Sequence, residues 1–99
     1  MAFEPLDPLL HAQLRLAVVS LLVGVESAEF NHLLEKTEAT QGNLSAQLKK
    51  LSDAGYVKIK KTFKNNYPNT SVSITAKGLD AFENYVDSIS RLIRGNAKD

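Results

Sequence analysis

Apolar residues recur at helical spacing in four stretches of the chain and at two-residue spacing in one region. Leu10, Leu14, Ala17, Val18, Leu21 and Leu22 fall three and four apart, which predicts a first helix over Leu9–Val23. Leu9, Leu16, Val19 and Val23 lie off that stripe. A helix apolar nearly all round is covered on more than one side, and in so short a chain a second subunit is a source of that cover. Gly24 ends the helix. Phe30, Leu33 and Leu34 give one apolar face to a short second helix over Ser27–Lys36, with Ser27 as its cap and Glu29 near its positive end. Thr37-Glu38-Ala39 is a turn. Thr40 then caps a third helix, Gln41–Ala54, in which Leu44, Leu48 and Leu51 form one narrow stripe and Gly55 stands at the C-cap position.

Periodicity then changes. Over Tyr56–Phe63, Val57, Ile59 and Lys61 alternate with Lys58 and Lys60, the pattern of a strand with one exposed face. Lys64-Asn65-Asn66-Tyr67-Pro68-Asn69 is dense in turn formers, and Val72 and Ile74 face one way along Thr70–Thr75. The two segments make a β-hairpin. Thr75 caps a last helix from Ala76 to about Arg94. There Leu79, Phe82, Val86, Ile89 and Ile93 alternate steps of three and four, an a/d seam widened by Tyr85 and Leu92. Gly95–Asp99 reads as a frayed tail. The pattern predicts one domain over residues 1–99, mainly α with a small antiparallel β-hairpin (α+β), in the order α-α-α-β-β-α.

Charge sharpens this picture. The net charge is only +1, but residues 40–66 carry six lysines against one aspartate, and residues 24–39 carry four glutamates against one lysine. A basic segment on a neutral chain is the local footprint that a polyanion selects. There is no cysteine, which excludes disulfides, cysteine zinc sites and thiol chemistry. His11 and His32 lie on different helices without ligand spacing and read as surface or packing residues, so neither a metal nor a cofactor is expected. Glu26, Glu29, Glu35 and Glu38 read as solvated charge, and no nucleophile or catalytic grouping accompanies them; an enzyme is not expected. The longest apolar run, Leu16–Val25, is about half of what a membrane span needs, and the leader is acidic where a signal peptide wants basic residues. No membrane partner and a cytoplasmic location are expected.

Two helices joined by a short turn are helix-turn-helix arithmetic. The second of such a pair must keep one stripe against its domain while the other face enters the major groove. The third helix suits that demand. Outside its leucine stripe it carries Gln41, Gly42, Asn43, Ser45, Ala46 and Gln47, small or amide-bearing side chains that approach base edges closely. Asn and Gln pair bidentately with adenine, and Ser serves either donor or acceptor. Lys49 and Lys50 suit phosphate contacts. Lys60, Lys61 and Lys64, with Asn65 and Asn66, form a basic hairpin and tip. Lysine also protects an exposed strand edge from aggregation, so the cluster argues more strongly than any member.

The run Asn43-Leu44-Ser45-Ala46-Gln47-Leu48-Lys49-Lys50-Leu51-Ser52-Asp53-Ala54-Gly55-Tyr56-Val57 resembles the recognition helix and first wing strand of MarR/ArsR-type winged helix-turn-helix transcriptional regulators. Arg15-Leu16-Ala17-Val18-Val19 resembles their first helix, and Ser73-Ile74-Thr75-Ala76-Lys77-Gly78 the junction of wing and last helix. The likeness spans about residues 9 to 90. It implies a homodimer that binds double-stranded DNA at a pseudo-palindrome and regulates transcription. Thr40, Gln41, Asn43, Ser45 and Gln47, with Lys49, become base or phosphate contacts, and Lys60, Lys61, Lys64 and Asn65 become wing contacts.

A physical argument runs alongside. One recognition helix reads only a few base pairs, and two related by a twofold, one DNA turn apart, give useful affinity. The first and last helices carry more apolar surface than one small core absorbs, so Leu9, Leu16, Val19, Tyr85, Ile89, Leu92 and Ile93 are the expected subunit interface. The alternative is a winged-helix protein-interaction module that does not read DNA. No residue set specifies a small-molecule effector, an operator or the direction of regulation.

Overall fold

The computed structural model describes residues 5–98, so the leader at residues 1–4 and the last tail position, Asp99, lie outside the described residues. The elements run α1 (Gln13–Leu22), β1 (Ala28–Glu29), α2 (Phe30–Thr37), α3 (Gln41–Asp53), β2 (Val57–Lys64), β3 (Tyr67–Ile74) and α4 (Ala76–Lys98). The strands form one antiparallel sheet in the order β1-β3-β2. Four helices and a small sheet with a protruding hairpin match the expected architecture.

The core lies where one face of each element meets the others. Leu10, Val18, Val19 and Leu22 come from the first part of the chain, Leu33 from α2, and Leu44, Leu48 and Leu51 from α3. Val57 and Val72 close the sheet side, and Tyr85 closes α4. The three leucines of the α3 stripe are therefore all buried, as their spacing requires.

Several boundaries differ from the sequence reading, each for a local reason. Helix α1 starts at Gln13, not Leu9: Asp7 Oδ1 accepts from the Leu9 amide at 2.8 Å, and Ala12 is extended at φ −148°, which breaks the helix between them. Ser27 caps nothing. Residues Ala28–Glu29 are extended because they pair with Val72 and Ser71 of β3, so α2 begins only at Phe30 and has no side-chain cap. Two residues carry no period, and their partners lie far along the chain, so no pattern could show β1.

The wing is also tighter than expected. Asn65 and Asn66 both adopt positive φ, 54° and 65°, and form a two-residue turn of the kind that matches strand twist. Tyr67–Asn69, read as turn, belong to β3. Pro68 is tolerated there because it pairs with Phe63 next to the turn-flanking pair Lys64–Tyr67. Its missing N–H thus faces the side where β1 has already ended. At the other end, α4 continues through Gly95 to Lys98 instead of fraying.

Candidate nucleic-acid interface

The site is built on α3. Thr40 takes an extended conformation, and its Oγ1 accepts from the Asn43 amide at 3.2 Å, so the expected N-cap forms. Glu38 ends α2 in the left-handed region at φ 56°, which gives the turn between α2 and α3 its sharp reversal. With Leu44, Leu48 and Leu51 buried, the opposite face is left to solvent. Gln41, Gly42, Asn43, Ser45, Ala46, Lys49 and Lys50 are exposed, and Gln47 is half-buried.

The hairpin lies beside this face. Ser45 and Lys49 of α3 line one cleft of about 450 Å³ together with Lys61 and Thr70 of the wing, over a floor of Phe30, Leu48 and Ile59. Strand alternation decides which lysines join it. Lys61 shares the face of Val57 and Ile59, whereas Lys58 and Lys60 point to the other side of the sheet. Lys60 and, by the same alternation, Lys64 are thus not brought together with α3. Lys64 and Asn65 sit exposed at the tip, where the Lys64 ammonium stands 3.3 Å from Glu29. Lys49 pairs with Asp53 one turn on at 3.2 Å. Both ion pairs are solvent-exposed, and such pairs contribute about 0–1 kcal/mol, so a phosphate can displace either carboxylate.

Two features escaped the sequence reading. Arg15 of α1 reaches Gln47: its Nη1 donates to Oε1 at 2.5 Å, while its Nε donates to the Leu9 carbonyl at 2.6 Å. Gln47 Nε2 in turn donates to Asn43 Oδ1 at 3.0 Å. The sequence signal was a single charged residue in a mostly apolar helix, with its partner 32 residues away. The second feature is aromatic: Phe63 and Tyr67 are 78% and 75% exposed beside the wing tip.

The segment before α1 is latched to the rest. Tyr56 donates its hydroxyl to Asp7 Oδ2, and His11 Nδ1 meets the Tyr85 hydroxyl at 2.8 Å. Burial pushes the Tyr56 phenol up to about 12, helped by the hydrogen bond to Asp7 and by that carboxylate's charge.

The expected interface residues divide. Val19 is completely buried and Tyr85 is 5% exposed, so both belong to the core of the chain itself and are corrected accordingly: α1 packs inward against α2, α3 and β3 more fully than its all-round apolarity suggested. Leu9, Leu16 and Ile89 pack partly against that core, and Leu92 is half-buried. Ile93 is 67% exposed, and Val86, on the same seam but not among the expected residues, is also exposed.

Among the described residues, no group of side chains is placed to hold a metal ion, and no helix is long and apolar enough to cross a membrane. A capped helix held by its leucine stripe, the helix before it set across a sharp turn, and a basic hairpin alongside define a winged helix-turn-helix domain. The chain belongs to the winged helix DNA-binding domain family, whose model matches residues 14–93. It is 42% identical over 82 residues to an uncharacterized protein of Methanocaldococcus jannaschii, covering 83% of this chain and 89% of that one. Among solved structures it is similar to a transcriptional regulator homologue from Pyrococcus horikoshii, with a TM-score of 0.82 and 28% identity over 88% of this chain and 86% of that one. Its fold is also that of Bacillus subtilis PadR, solved in complex with operator DNA (TM-score 0.68, 17% identity, 76% of this chain, 48% of that one). The regulator BldR from Sulfolobus solfataricus shares it too (TM-score 0.71, 20% identity, 89% and 62%). The family is that of a DNA-binding domain, and these solved neighbours are described as transcriptional regulators or their homologues. The resemblance noted from sequence holds at the level of the winged-helix DNA-binding fold, with PadR-type regulators among the structural neighbours.

Proposed function

We propose that the chain is a transcriptional regulator that reads double-stranded DNA sequence-specifically as a homodimer in the cytoplasm. Residues 40–54 enter the major groove, and the wing, residues 58–72, follows the backbone or the adjacent minor groove. The observation that carries this reading is the shared cleft: Ser45 and Lys49 on the exposed side of α3 line it together with the wing's Lys61. Thr40, Gln41, Asn43, Ser45 and Gln47 then supply base and nearby phosphate contacts. Lys49, Lys61, Lys64 and Asn65 supply backbone contacts, and Lys60 meets phosphate only where DNA wraps the wing. Operator binding by PadR, which shares the fold, supports the reading. The narrower kinship with MarR/ArsR-type regulators rests on the 43–57 motif.

The homodimer is supported by shape and by exposed apolar surface. The radius of gyration is 15.3 Å, against about 13 Å for a compact chain of 100 residues, and the long axis is 59 Å. Helix α4 spans 23 residues, yet only its first part meets the core. Val86 and Ile93 stay exposed along it, with Leu92 between them half-buried, a stripe for a second copy to cover, joined by the open sides of Leu9, Leu16 and Ile89.

The test is selection of bound duplexes from a random pool, with affinity measured across salt concentrations. Lysine–phosphate contacts release counterions, so affinity falls steeply with salt. Gln47→Ala alters the selected sequence, whereas Lys64→Ala weakens all duplexes alike and lowers the salt slope by about one. Absent or salt-independent binding refutes the reading. The exposed Phe63 and Tyr67 favour a second reading, a protein-docking wing, for which a stoichiometric protein complex lost in Phe63→Ser, without any DNA retention, is the expected result.

A further inference from the structure

The chain Arg15–Gln47–Asn43 has a direction that chemistry alone dictates. A guanidinium has only donors, so the Gln47 atom that faces it at 2.5 Å must be the carbonyl oxygen. The other arm of that amide is then the NH2 group, and it lies 3.0 Å from Asn43. It donates, so the Asn43 atom that receives it must be Oδ1. What remains for Asn43 to offer outward is its NH2 group. Asn43 is exposed and stands in the first turn of α3, the part of a recognition helix that meets base edges.

We propose that Arg15 is a positioning residue that, through Gln47, turns Asn43 into a donor toward the groove and so selects which base it reads. This rests on the DNA-reading function proposed above and deepens it. A free asparagine pairs bidentately with adenine, because it offers both a carbonyl and an NH2 group. An asparagine whose carbonyl is turned along its own helix toward Gln47 presents its N–H group to the groove. Its best-matched edge is guanine, with two acceptors, or thymine, with O4; adenine offers N7 but sets its amino group beside it, and cytosine opposes it with an amino group alone. Arg15 is itself held by the bond from its Nε to the Leu9 carbonyl at 2.6 Å, so the direction of the relay is set from outside the recognition helix.

The experiment selects duplexes from a random pool with wild type, Asn43→Ala, Arg15→Ala and Gln47→Glu. The position that Asn43 reads is the one whose preference disappears in Asn43→Ala. Wild type enriches guanine or thymine there. Gln47→Glu keeps an acceptor for Arg15 but has no proton for Asn43. Asn43 then donates to the introduced carboxylate and turns Oδ1 outward, so preference at that position switches to cytosine or adenine by about tenfold. Arg15→Ala releases both amides, and the position becomes tolerant. Adenine enrichment by wild type at that position, or an unchanged preference in Gln47→Glu with only a uniform loss of affinity, overturns the proposal. If Arg15→Ala melts before it can be assayed, Gln47→Glu, which retains the Arg15 contact, carries the test alone. Failure of wild type to retain any duplex overturns the DNA reading and the relay's role with it, whereas retention without the switch overturns the relay alone.

Discussion

Substituting alanine at Gly78 places a methyl group where the fold has no room. A β-carbon there would overlap the Tyr56 carbonyl oxygen and would lie 2.9 Å from its carbon and 3.1 Å from Ile74 Cγ1. Carbon and oxygen in contact need about 3.3 Å, so the start of α4 must move away from β2 by roughly 1 Å. That junction is held by three bonds. The Thr75 amide donates to the Tyr56 carbonyl at 3.0 Å, the Thr75 hydroxyl donates to the Gly55 carbonyl at 2.6 Å, and the Gly78 amide donates to Thr75 Oγ1 at 3.0 Å. Overpacking costs about 1–3 kcal/mol. Loss of the threonine cap costs about 1 kcal/mol, and so does loss of the backbone bond. Alanine's helix preference returns at most about 1 kcal/mol. The net is a destabilisation of about 2–4 kcal/mol, which at about 4–8 °C per kcal/mol lowers the melting temperature by roughly 8–32 °C. The assay is thermal unfolding by circular dichroism at one protein concentration, since any self-association makes the midpoint depend on it. Gly95→Ala is the control: the same helix, nothing within 4 Å of the added carbon, and an expected small rise. A Gly78→Ala protein that melts at or above wild type would refute the argument.

Three further outcomes are expected. Tyr56 has its pKa raised in the folded state, so its contribution to stability is fully present below pH 10 and is lost as pH rises from there toward 12. Denaturant unfolding across pH 8–12 should show that loss in wild type and a flatter alkaline limb in Tyr56→Phe, which also loses about 1–2 kcal/mol at neutral pH with its bond to Asp7. Glu38→Gly relieves a left-handed residue at φ 56° and should raise stability by about 0.5–1 kcal/mol, seen as a melting temperature a few degrees higher; a fall would show that the Glu38 side chain matters to the turn. Ile93→Glu sets a charge on a residue 67% exposed in the protomer, so folding should be unaffected while the proposed homodimer requires light scattering to report a smaller mass than for wild type; an unchanged mass would count against an interface at Ile93.

The order of elements was legible because it rests on local periodicity. Leu44, Leu48 and Leu51 announce the buried side of α3, Thr40 and Thr75 announce two helix starts, and Gly55, at φ 81°, announces a stop. The exposed polar face of α3 follows from the same count, because a helix with one narrow apolar stripe must give the rest to solvent. What stayed hidden depends on partners distant in the chain. Ala28 and Glu29 are extended only because β3 offers them an edge, and Ser27 loses its capping role as a consequence. Val19 and Tyr85 looked surplus to one core because sequence shows how much apolar surface a helix has but not how many neighbours surround it.

The same division bears on function. Residue type alone gives Asn43 both a donor and an acceptor, and adenine is then its natural partner. Arg15, on another helix, turns that acceptor away from the groove by acting through Gln47. Composition therefore marks α3 as a reading surface, but the hydrogen-bond polarity of that surface is a tertiary property. Two winged-helix chains with identical residues on α3 would read different bases if only one carried an arginine at the position of Arg15. The selective power of such a helix has to be sought in the side chains behind it as well as in those that face the groove.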